Sequence, residues 1–130
     1  MHVDYGSQYF KDDDFKAKAR FHQSKFRVET LKADFKDYGN RLSEKDALEG
    51  KNFYLGFSGI FDEVKKRYPL NYTPLYYDML RSEHIPFNFF IPFKYYPGLG
   101  CKILNYFMND TIAKIEEIKI EHAPKPRENY

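Results

Sequence analysis

Ile115–Tyr130, IEEIKIEHAPKPRENY, closes the chain, and its reading decides how everything before it is read. Ile118 and Ile120 alternate with Lys119 and Glu121, the two-residue period of a strand with one face buried. No earlier stretch alternates as well. A strand in last place exposes a row of backbone donors and acceptors along each edge and must pair with earlier segments or with another molecule. The expected fold class is therefore α/β (α+β): a helical N-terminal layer followed by the first strand of an incomplete core. Any activity housed on the missing strands is expected to be missing with them.

The segments upstream read as helices. Asp12, Asp13 and Asp14 favour a helix N-terminus, and Phe15, Ala19, His22 and Phe26 follow at helical spacing, which predicts a helix from about Asp13 to Leu31. Residues 1–12 lack periodicity and are expected to be a mobile tail, leaving 13–130 as part of a single domain. The second face of that helix carries Lys16, Lys18, Arg20, Lys25 and Arg27, the most basic element of the chain. Lys32–Asn40 ends in Asp-Tyr-Gly-Asn, a turn composition. Ser43 and Asp46 have capping-box spacing, and Gly50 ends the short helix between. A further helix spans about Ser58–Tyr68, with Ile60, Phe61, Val64 and Tyr68 inward, and Pro69 stops it. Thr73-Pro74 starts a helix towards Glu83, limited by Pro86. Phe87–Phe93 is ambiguous between helix and strand, and Leu99–Met108 is the last helix.

Composition narrows the function classes. With 130 residues the chain supports one packed domain. The balance of 21 Lys and Arg against 19 Asp and Glu gives no global attraction to nucleic acid, membrane or an acidic partner, so any such preference must come from local patches. No apolar run approaches the roughly 20 residues that span a bilayer. The lone thiol, Cys101, and the polar, acidic N-terminus suit a reducing cytoplasm. His2, His22, His84, His122 and Cys101 are scattered rather than set at zinc-ligand spacings. P-loop, dinucleotide and nucleophile-elbow patterns are absent from the sequence.

Four blocks, in order, resemble a known family. They are Ala19-Arg20-Phe21-His22-Gln23-Ser24-Lys25-Phe26-Arg27; then Tyr38-Gly39-Asn40-Arg41-Leu42 with Asp46-Ala47 and Gly50-Lys51-Asn52-Phe53; then Leu80–Phe90, LRSEHIPFNFF; and last Ile118–Pro124, IKIEHAP. Together they look like the N-terminal portion of a bacterial PD-(D/E)XK nuclease-like, restriction-endonuclease-like family. The resemblance implies an acidic residue on a helix before the sheet, an Asp on the second strand and Glu-x-Lys on the third, with the carboxylates holding Mg²⁺. Only Glu83 maps onto that set, as the helix acid and a partial metal ligand. Glu121 and His122 are expected beside it in support. Glu63-Val64-Lys65 and Glu117-Ile118-Lys119 have the triplet's composition but fall on a helix and on the first strand, where solvent-facing charge is the simpler reading.

DNA is the implied partner, with Arg20, Gln23, Lys25 and Arg27 as its expected contacts. Without the Asp and Glu-x-Lys elements the chain is expected to be inactive alone and to need no metal by itself. Two rival readings stand beside this one. The first is a small nucleic-acid-binding domain without chemistry. The second is an interaction module that pairs its last strand with a missing C-terminal half or another chain.

Overall fold

The computed structural model describes residues 2–120, and most of the helical periods in the sequence become helices there. α1 (Asp14–Phe26) starts where the acidic run predicts, with Asp13 Oδ1 accepting from Lys16 N at 2.8 Å. It does not continue to Leu31 as an α-helix. Arg27–Leu31 widens into a π-helical turn, and Lys32, in the left-handed region at φ 52°, ends it. The expected inner face is also reversed: Phe15 is 80% exposed and His22 and Phe26 are exposed, whereas Ser24 and Arg27 are buried. The reason lies in what α1 packs against, which is strand backbone and the N-terminal segment, whose polar groups require donors.

That strand belongs to a hairpin of β1 (Phe35–Lys36) and β2 (Tyr38–Leu42), antiparallel, with Phe35 opposite Leu42 and Lys36 opposite Tyr38. Asp37, at φ 67°, makes the reversal. The turn composition located the bend but not the strands, because Gly39 and Asn40, both buried, break the alternation. Residues 4–12, expected as a tail, are held across α1 and β2. Gly39 N donates to Ser7 O at 2.9 Å, Gln8 Nε2 to Ser24 Oγ at 3.2 Å and Tyr5 OH to Glu29 Oε1 at 3.3 Å. Gly6, at φ 83°, lies so close that a Cβ on it would stand 2.6 Å from Gly39 Cα.

α2 (Glu44–Leu48) is capped by Ser43 as the spacing predicts, and α3 (Ser58–Arg67) turns Ile60 and Val64 inward. α4 (Pro74–Tyr77) is one turn long and does not reach Glu83. Asp78 Oδ1 accepts from Leu80 N at 3.0 Å and Met79 N donates to Asn40 O at 3.0 Å, which pulls the chain into an isolated bridge, Arg41 opposite Asp78. α5 (His84–Tyr95) contains both Pro86 and Pro92. Pro86, expected to limit the helix that starts at Thr73-Pro74, falls instead in the first turn of α5, where an N–H has no helical acceptor. α6 (Pro97–Met108) ends at Asn109, left-handed at φ 52°.

The core joins Leu42, Ala47, Phe53, Ile60, Val64, Leu75, Tyr76, Phe87 and Ile91. Phe53 is its centre, with ring contacts to Phe61, Tyr76, His84 and Phe87. The expected closing strand is not formed among the described residues. Ile118 and Ile120 do turn inward, Ile120 against the core, and Lys119 outward, but 111–120 has no ladder partner. The chain described is thus helical with a two-stranded hairpin, and the rest of the expected strand lies outside the described residues. No described helix is long and apolar enough to cross a membrane.

Candidate functional site

Asn40 is fully buried and joins three segments. Its Oδ1 accepts from Arg20 Nη1 at 2.8 Å and its Nδ2 donates to Asp78 Oδ1 at 2.9 Å, so α1, β2 and the loop leading to α5 meet on one amide. Arg20 also grips Asp12 with two donors, Nε at 2.6 Å and Nη2 at 3.0 Å. Hydrogen bonding to that guanidinium is the main cause holding the Asp12 carboxyl below its ordinary range. Arg27, 3% exposed, donates from Nε to Gly39 O at 2.7 Å and from Nη1 to Ala33 O at 2.6 Å. Two of the four expected DNA contacts therefore point into the protein, where they hold the hairpin to α1.

Gln23 and Lys25 stand differently. Lys25 is exposed, and Gln23 lines a groove with Phe26, Leu31, Lys51, Asn52, Met79, Leu80, Arg81, Ser82, His84, Ile85 and Asn88. The groove has a volume of about 400 Å³. A second depression of about 500 Å³ adjoins it through Phe26, Leu31, Lys51, Asn52 and Asn88, and continues over Phe53, Tyr54 and Leu55. Glu83 falls in sequence between two groove residues, Ser82 and His84, but does not itself line the groove, and its Oε1 accepts from Arg81 Nη2 at 2.7 Å.

The floor is built from buried polar groups. Asn52 Nδ2 lies 3.1 Å from both Leu75 O and Asp78 O and 2.7 Å from His84 Nε2. Burial pushes the His84 ring below the ordinary histidine range, against the opposing pull of hydrogen bonds to the Leu75 and Arg81 backbone, so the ring is neutral at pH 7. Asp46 accepts from Asp34 N at 2.8 Å, from Ser43 Oγ at 2.9 Å and from Lys51 Nζ. Burial raises its pKa, but these bonds, Lys51 first, outweigh it and the net shift is downward.

No group of three or more His, Cys, Asp or Glu side chains able to hold a metal ion occurs among the described residues. With its one carboxylate engaged by Arg81, the Glu83 position does not by itself fit a divalent cation, which needs several oxygen ligands. Glu121 and His122 lie outside the described residues. Of the two Glu-x-Lys triplets, Lys119 pairs with Glu117 at 3.6 Å on the surface. Glu63 is a correction: it is largely buried and accepts from Lys94 at 2.9 Å and Lys66 at 3.3 Å, tying α3 to α5. Lys51, Asn52, Tyr54 and Asn88 are groove residues not singled out from the sequence. The signal available for Lys51, Asn52 and Asn88 was their place in the blocks GKNF and HIPFNFF, and Tyr54 directly follows the first.

Comparison with characterised proteins returned no match, and comparison with solved structures returned none either. A family profile described as PD-(D/E)XK nuclease superfamily matches residues 10–130, a span that takes in α1, the hairpin, the groove and Glu83. The chain belongs to the PD-(D/E)XK nuclease superfamily.

Proposed function

We propose that this chain forms the helical portion of a metal-dependent nuclease, presenting a nucleic-acid strand along the groove at the start of α5, and that by itself it does not hydrolyse phosphodiesters. The observation that carries this reading is the isolation of Glu83. It is the one residue that matches the family's helix acid, its chain neighbours Ser82 and His84 line the groove, and among the described residues no second and third ligand accompany it. Hydrolysis assisted by a hard cation needs more than one carboxylate to hold the ion. In this reading the Asp and Glu-x-Lys strands are supplied beside Ile115–Ile120, whose backbone has no ladder partner among the described residues. Mg²⁺ belongs to the completed site, and DNA is the substrate, contacted by Gln23 and Lys25, while Arg20 and Arg27 position the helix that carries them. The single thiol suits a cytoplasmic setting.

The test is a cleavage assay on single- and double-stranded DNA and on RNA with Mg²⁺ or Mn²⁺. The purified chain is expected to leave all of them intact. Reproducible divalent-dependent cleavage that Glu83→Gln abolishes would refute the incomplete-site reading.

A further inference from the structure

We infer that the groove beside α5 is a subsite for one unpaired nucleobase, an inference that rests on the nucleic-acid reading above and names what part of the strand the groove takes. The charges around it are already paired within the protein: Lys51 with Asp46 and Glu49, Arg81 with Glu83. What stays open is neutral. The Gln23 amide, the Ser82 hydroxyl and the Asn88 amide nitrogen have no hydrogen-bond partner among the described residues, although the Asn88 oxygen is taken by Tyr54 N at 3.0 Å. On the other side two rings are unstacked. Phe26 is 42% exposed and Tyr54 64% exposed, and neither touches another aromatic ring among the described residues.

A phosphate would find both cations occupied, and an aliphatic chain would leave three polar groups desolvated without partners. A flat, neutral ring with donors and acceptors on its edge satisfies both halves, stacking on Phe26, which lines the same groove as Gln23, Ser82 and Asn88, while the amides meet its edge. Gln23 and Phe26 lie three residues apart on α1, and both line the groove. In a duplex both faces of a base are covered by its neighbours, so the groove takes a base that is single-stranded or turned out of the stack.

Fluorescence anisotropy with a short single-stranded oligonucleotide, the corresponding duplex and the same backbone without bases tests this. The chain should bind the single strand more tightly than the abasic backbone. Phe26→Ala should weaken single-strand binding by roughly 5- to 150-fold, the range for one base stacked on one aromatic side chain, and leave abasic binding unchanged. Gln23→Ala should reduce the preference among homopolymers. Both residues are partly exposed, so the variants should melt with the parent in circular dichroism. Salt-dependent binding that persists unaltered in both variants would overturn the base subsite and leave the nucleic-acid reading standing. No binding of any of the three at low salt would overturn both.

Discussion

Replacing Asn40 with alanine removes the one side chain that bonds both Arg20 and Asp78. Both partners are charged, and a hydrogen bond to a charged group contributes about 1.5–3 kcal/mol, so the expected loss for the two bonds is about 3–6 kcal/mol. Asn40 is fully buried, and solvent cannot replace the amide without opening the contact between α1 and β2. A domain of this size has a total stability of about 5–15 kcal/mol, so the variant should retain its fold with much reduced margin. Urea unfolding followed by far-ultraviolet circular dichroism measures it. At a slope of about 2 kcal/mol per M the midpoint should fall by roughly 1.5–3 M. Combining Asn40→Ala with Asp78→Ala gives the coupling directly, expected between about 0.5 and 3 kcal/mol. A loss below about 1 kcal/mol, or strict additivity with Asp78→Ala, would refute the claim that this amide ties the helix to the loop before Glu83.

Burial lowers the folded-state pKa of His84 beneath its ordinary 6.5, so the folded ring resists a proton that the unfolded chain accepts. Its contribution is complete above pH 6.5 and declines as pH falls below it, and the lowered Asp46 adds a second decline below about pH 4. Urea midpoints between pH 8 and 5 should show the first slope, and His84→Asn should flatten it; an unchanged slope in that variant would contradict the assignment. The amides of residues 113–119 have no backbone acceptor among the described residues and should exchange hydrogen at nearly unprotected rates, unlike those of α3. Strong protection of Ile118 in a dilute monomer would show that the segment is paired and would remove the support for an open sheet edge there.

Elements whose local chemistry agreed with their packing were legible in the sequence. Ser43 caps α2, Pro69 follows α3, and α6 fills the span between Pro97 and Asn109, each as its residues indicate. The misreadings share one cause, a partner distant in sequence. The spacing of Phe15, His22 and Phe26 predicts an apolar inner face for α1, yet the surface it meets offers carbonyls from Gly39 and Ala33, and arginine is the residue that satisfies them. α4 stops early because Asn40, nearly forty residues upstream, takes the Met79 amide. Glu83 and Gln23 were found through motif blocks. That Gln23 shares a groove with Arg81, Ser82 and His84, the residues flanking Glu83, depends on how α1 lies against the start of α5, which no local pattern encodes.

The crossing of Gly6 over Gly39 bears on how sequences of this fold can vary. A side chain on Gly39 would collide with the backbone of Tyr5 and with Ser24, and one on Gly6 with the backbone of Gly39. Neither site can change while the other half of the crossing stays in place. The two positions therefore behave as one heritable character: relatives should carry glycine at both, or lose both together with the segment that lies over α1.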